Sequence, residues 1–228
     1  MTGLRIPDHA INRVLRKRGR LAIFDDIDPR RTALLVIDMQ CHYLDVIQTM
    51  PDIVPVIQRL SQRLRDAGCK IAWLLNTLER DGVDLWPHYH RHFYSPDEAT
   101  KHRTGLASGS AGHRLIPDLK QEPTDWVVEK TRFSAFAPGS SPLEPMLDRA
   151  NIDTLVLAGV STNVCCEATA RDAMMRDMRV IVVGDAMAAV TEEDHCSGLG
   201  AMITCFADVR SGDQVLSLIT NAHVSAMV

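Results

Sequence analysis

The chain has 228 residues, 46% hydrophobic and 24% charged, with a formal net charge of -4, which suits one soluble α/β domain. That balance excludes a basic stripe for nucleic acid, and no apolar run reaches the roughly 18 residues that span a bilayer. The first twenty residues scatter Arg and Lys without an apolar signal core, so the expected location is cytoplasmic, with neither nucleic acid nor membrane as a partner.

Residues 1–30 are predicted to form an N-terminal helical arm, because Ile6, Ala10, Ile11, Val14 and Leu15 recur near helical spacing. Such an arm either packs on a neighbouring subunit or stays solvated, and a homo-oligomer (dimer or tetramer) is expected. Residues 31–228 read as the main domain. Here short apolar β-rich runs alternate with amphipathic stretches, the pattern of a parallel-sheet α/β protein. The runs are 32–38, 69–77, 125–128, 154–160 and 180–185, with 206–209 a weaker sixth. Helices are expected over 52–66, 142–149, 163–177, 192–204 and 212–220, with Gly68 placed to cap the first of these. Residues 79–123 read as one long irregular stretch contributing part of a pocket.

The six cysteines, Cys41, Cys69, Cys165, Cys166, Cys196 and Cys205, form no CxxC pair, and a chain of this size needs no disulfide staples. They read as reduced thiols. Taken alone, a free cysteine is most often a small buried apolar residue. Cys165 differs in its place: the run through Gly159 and Val160 passes into a helix within a few residues, at the carboxyl edge where open α/β sheets bind ligands. In the first turn of that helix, the unpaired N–H groups and the helix dipole would lower its pKa below the free value of about 8.5. Thr162 or Asn163 would cap the helix, and Cys166 would point elsewhere as packing.

Asp38 follows the first apolar run, so its carboxylate emerges partly desolvated at the same edge, with a pKa tending upward toward use as a base. Lys130 follows the third run and supplies a cation between two potential anions. Asp185, after the fifth, reads as structural.

His88, His90 and His92 would share one side of an extended chain and could hold zinc. Pocket residues are sought in the loops around Cys165: Gln40, Tyr43, Asn76, Arg80, Trp86, His92, Phe133 and Phe136. Their mix of aromatic and polar groups suits a small planar urea, carbamoyl or carboxamide.

Gly159, Val160, Thr162, Cys165, Thr169, Ala170, Arg171, Asp172 and Ala173 match, in register, a motif that closely resembles the isochorismatase-like cysteine hydrolases. LLVIDMQ (34–40) and VVEKTRFSAF (127–136) stand in the order the same family shows, and the resemblance spans roughly 30–210. It implies a three-layer α-β-α, Rossmann-like fold with a six-stranded mainly parallel sheet. It further implies a catalytic triad of Asp38, Lys130 and Cys165, and a cis peptide after Val160 that aims the Ser161 N–H beside that of Cys165 as an oxyanion hole. The implied activity is cleavage of a C–N bond in a small amide or ureido compound through a thioester. Nicotinamidases of this superfamily hold a metal through Asp-x-His; Asp45-Val46-Ile47 lacks that histidine, so no metal and no organic cofactor is expected. Vinyl ether hydrolysis of the isochorismatase type and a catalytically silent partner of the same fold are the competing readings.

Overall fold

The computed structural model describes residues 4–225; the first three residues of the expected arm and the last three of the expected domain lie outside it. Six strands, β1 (Thr32–Ile37), β2 (Lys70–Asn76), β3 (Trp126–Lys130), β4 (Thr154–Val160), β5 (Arg179–Ala188) and β6 (Asp208–Arg210), build one sheet. Their order is β3-β2-β1-β4-β5-β6 and every pairing is parallel. The chain winds outward in one direction from β1 and in the other from β4, so a crevice opens between the carboxyl ends of these two neighbours.

Strand alternation divides the core into two layers. Leu35 and Ile37 of β1, Leu74 of β2, Leu157 of β4 and Val182 of β5 face one side. There they meet α1 (Asp8–Arg18), α5 (Leu143–Arg149), α6 (Glu167–Met174) and α7 (Glu192–Cys205). Leu34, Val36, Trp73, Val156 and Ile181 face the other side, against α2 (Met50–Asp66) and α8 (Gly212–Ser225). Because both faces are covered, β1 and β4 are apolar without a polar alternation.

Three expectations are corrected. The stretch 79–123 is not one irregular loop. Glu79–Arg80 and Val83–Asp84 pair antiparallel across Asp81-Gly82, whose φ angles of 52° and 78° are those of a tight hairpin turn. Helices α3 (Pro87–Phe93) and α4 (Pro96–Gly105) follow, each with proline in its first turn, and Ser95 caps α4 by accepting from Glu98 N. Second, His88, His90 and His92 therefore lie on a helix: the His88 and His92 rings meet, tilted, one turn apart, while His90 turns inward to Asp84. Third, the N-terminal arm is not a solvated tail. Its Ala10 and Val14 are buried against its own chain's core beside Met202 and Ile203 of α7.

At the site end of the sheet, β4 touches β1 at Gly159. A Cβ there would stand 2.1 Å from the Ile37 carbonyl oxygen, and φ is +114°. Gly159→Ala is therefore expected to destabilise the fold by about 3 kcal/mol or more, from backbone strain plus a clash with main chain that cannot yield. Urea denaturation measures it; a loss below about 1 kcal/mol would mean that β4 and β1 are less tightly apposed.

Candidate active site

The carboxyl ends of β1, β2, β3 and β4 bring four polar residues to one place. Asn76 and Lys130 close β2 and β3 as register partners, Asp38 follows β1, and Cys165 follows β4. Asp38 has φ 53°, an uncommon but tolerated conformation for Asp, with its N–H bonded to Leu74 O at 3.0 Å. This turns its side chain off the line of the strand.

Lys130 is fully buried. Its Nζ lies 2.9 Å from Asp38 Oδ2, 3.6 Å from Cys165 Sγ and 3.1 Å from the Arg132 carbonyl oxygen. Burial works against the charged lysine, but Asp38 and Cys165 hold the ammonium above its ordinary value. Burial pushes the Asp38 carboxyl upward against the pull of Lys130, as expected from its place after an apolar strand.

The expected fall in the Cys165 pKa is corrected: burial, and then the Asp38 carboxylate, push the thiol up, with Lys130 opposing them only in part. The reason is local geometry. Cys165 is 5% exposed and sits in a π-helical turn, Thr162–Cys166, ahead of α6 rather than in the first turn of an α-helix. Asp38 and Lys130 thus stand at ion-pair distance beside a thiol whose ionisation burial disfavours. The peptide between Val160 and Ser161 is cis, and the Ser161 carbonyl accepts from the Val164 and Cys166 amides. Neither Thr162 nor Asn163 caps the helix; their side chains reach across to α7 instead. Cys166 is fully buried in the core, and Asp185 receives the Gly212 N–H, a structural role.

The expected pocket residues divide. Tyr43 and Asn76 belong together, the amide donating to the Tyr43 hydroxyl at 2.8 Å; burial, with Asp38 and Cys165, holds that hydroxyl far above its ordinary pKa. Trp86 and Phe133 stand edge to face at 4.9 Å, and Tyr89 packs on both. Gln40 is consumed by the scaffold, donating to Asn76 O and His113 O and accepting from Asn76 N. Arg80 is half-exposed and paired with Glu129, His92 is exposed, and Phe136 lies in the core. These four are not brought to the thiol as free recognition groups.

Sequence reasoning missed Tyr89, whose hydroxyl is pushed up by burial, by its Tyr94 partner and by Cys165. The helical spacing of Trp86, Tyr89 and Phe93 was the available signal. Asp38 Oδ1 and Asn76 Oδ1 are buried without a hydrogen-bond partner. Among the described residues no three His, Cys, Asp or Glu side chains gather in a group able to hold a metal ion, and no helix is long and apolar enough to cross a membrane.

Known proteins resemble this chain in sequence and in fold. The isochorismatase domain model matches residues 32–214. The chain is 34% identical over 183 residues to the ureidoacrylate amidohydrolase RutB of Methylorubrum extorquens, covering 70% of each protein. It is 34% identical over 177 residues to a probable inactive nicotinamidase of Arabidopsis thaliana, covering 75% of this chain and 87% of that one. A crystal structure of a cysteine hydrolase from Pseudomonas syringae superposes with a TM-score of 0.78 at 28% identity, covering 89% of this chain and 98% of the other.

Proposed function

The chain belongs to the isochorismatase family of hydrolases, and we propose that it is a cysteine-dependent amidohydrolase cleaving the C–N bond of a small ureido, carbamoyl or carboxamide compound. The observation that carries this reading is the buried Asp38–Lys130 ion pair with the Cys165 thiol 3.6 Å from the ammonium. As the sulfur attacks the substrate carbonyl carbon, Asp38 takes the thiol proton, and the Ser161 and Cys165 amides receive the charge developing on oxygen. The tetrahedral intermediate collapses by breaking the C–N bond, and Asp38 returns the proton to the departing nitrogen. Water then attacks the thioester while Asp38 accepts its proton; the released sulfur regains that proton as the acid leaves. Lys130 keeps Asp38 ionised until it is needed and steadies each transient anion.

The orphaned acceptors Asp38 Oδ1 and Asn76 Oδ1 match the N–H donors of a primary amide or urea, and the Trp86–Tyr89–Phe133 cluster offers apolar walls for a planar group. A relative named for ureidoacrylate hydrolysis accords with that chemistry. Ammonia release from a panel of ureido compounds, primary carboxamides and nicotinamide tests the reading. No release from any of them would favour a silent protein, a reading kept open by the relative named inactive. Vinyl ether hydrolysis would leave Cys165 idle, so survival of turnover without that thiol would select it.

Because burial raises the Asp38 carboxyl, the acid limb of kcat/KM is expected to lie above the ordinary carboxylate value of about 4. Activity is present above the Asp38 pKa, where the base is ionised, and lost as pH falls through it. A pH–rate profile that stays flat down to pH 4 would remove Asp38 from the role of base.

A further inference from the structure

Helix α7 grips the turn that carries the nucleophile at two consecutive residues, and the mechanism above uses neither contact. His195 Nδ1 lies 2.8 Å from Thr162 Oγ1, and Asn163 Nδ2 donates to Asp194 Oδ1 at 3.0 Å. Thr162 is fully buried, one residue after Ser161 and three before Cys165, between the two amides assigned to the oxyanion. The gripping end of α7 is itself fixed: Thr191 caps the helix by accepting from Asp194 N at 3.1 Å and donates to Asp194 Oδ2 at 2.7 Å. One turn further along, a Cβ on Gly198 would stand 3.0 Å from Asn163 Cα, so the absence of a side chain there lets the helix lie directly on the turn. Burial, and then Arg5, lower the His195 pKa, which leaves a neutral imidazole at pH 7.

We propose that His195 is a positioning residue: through its hydrogen bond to Thr162 it holds the Ser161–Cys165 turn so that both amides face the oxyanion of the tetrahedral intermediate. The inference rests on the proposed thioester chemistry. A buried hydroxyl that loses its partner re-pairs by moving, and here any movement of Thr162 shifts the main chain joining the two donors. Loss of the contact is therefore felt where charge develops on oxygen, and not where sulfur acts as a simple nucleophile.

Two probes of the same thiol separate these steps without the natural substrate. Acylation by 4-nitrophenyl acetate passes through an oxyanion; alkylation by iodoacetamide displaces iodide and forms none. Thr162→Val and His195→Leu are each expected to slow acylation about 10- to 100-fold, somewhat less than outright loss of an oxyanion donor. The alkylation rate should stay within about twofold. Thr162→Ser, which keeps the hydroxyl, and His195→Asn, whose amide can stand near the Nδ1 position, should recover most of the acylation rate. The Thr162→Val, His195→Leu double variant should be no slower than the worse single one, because both remove one bond. Unchanged acylation in His195→Leu, or acylation and alkylation falling together, would overturn the proposal; should Thr162→Val fail to fold, the His195 pair decides alone. If instead Cys165→Ala retained acylation, the thioester reading itself would have failed, an outcome distinct from either.

Discussion

Cys165→Ala is expected to lower turnover by about 10⁴-fold or more while the protein keeps its fold, since the nucleophile has no substitute within reach. Alanine removes only the sulfur from a site that is 5% exposed, so the expected cost in stability is about 1 kcal/mol, readable as a small shift of the urea midpoint. The adjacent Cys166→Ala makes the control. Cys166 is fully buried in the core, and it is Cys165 that lies 3.6 Å from the Lys130 ammonium, so Cys166 is expected to pack rather than react. Its variant should lose comparable stability and retain turnover. The opposite result, activity surviving Cys165→Ala and vanishing in Cys166→Ala, would move the nucleophile by one residue.

Lys130→Met should cut turnover by about 10²- to 10⁴-fold, for an electrostatic reason that two further measurements isolate. Without the ammonium 2.9 Å away, the strongest opposition to the burial that raises the Asp38 carboxyl is gone, so the base becomes protonated at higher pH and the acid limb of kcat/KM moves upward. The pH at which Cys165 alkylates should rise as well, because the cation that favoured its thiolate is gone. Stability carries the same signature. In this variant the folded-state Asp38 pKa lies above its unfolded value, so its contribution is fully present below the unfolded pKa and is lost as pH rises through the folded one. Keeping a buried carboxylate charged and unpaired costs about 3–5 kcal/mol, so Lys130→Met should denature more readily at pH 8 than at pH 5. Lys130→Arg restores the charge, yet a planar fork cannot reproduce three contacts converging on one nitrogen. It should preserve the alkylation profile better than the turnover. An alkylation profile in Lys130→Met identical to that of the unaltered protein would place the lysine outside the site.

Much of the scaffold was legible because its signals are local. The apolar runs ending near Asp38, Asn76, Lys130 and Val160 name the strands, and burial on both faces is why the central ones, β1, β2 and β4, carry no polar alternation. The triad of Asp38, Lys130 and Cys165 is implied by the family resemblance, and their places at strand ends accord with it. Other signals were equally local but went unread: Asp81-Gly82 marks a hairpin, and Pro87 and Pro96 open helices in a stretch whose polar composition reads as loop.

What only the tertiary structure decided concerns neighbours distant in sequence. A helix dipole suggests a lowered thiol pKa, whereas burial and a carboxylate contributed from residue 38 raise it, because solvation and charge are set by everything within a few ångströms irrespective of chain order. Gln40 and Arg80 look like recognition groups until Asn76, His113 and Glu129 occupy their hydrogen-bonding capacity. The helical period of the arm locates its apolar face and leaves open what covers it; α7 of the same chain does. The bond between His195 and Thr162 has no sequence signature at all, since it joins residues 33 apart on two elements whose approach is set by the packing of α7 over the turn. Periodicity reports which face of one element is buried, while the partner of that face, and with it the chemistry of the site, depends on how all the elements close on one another.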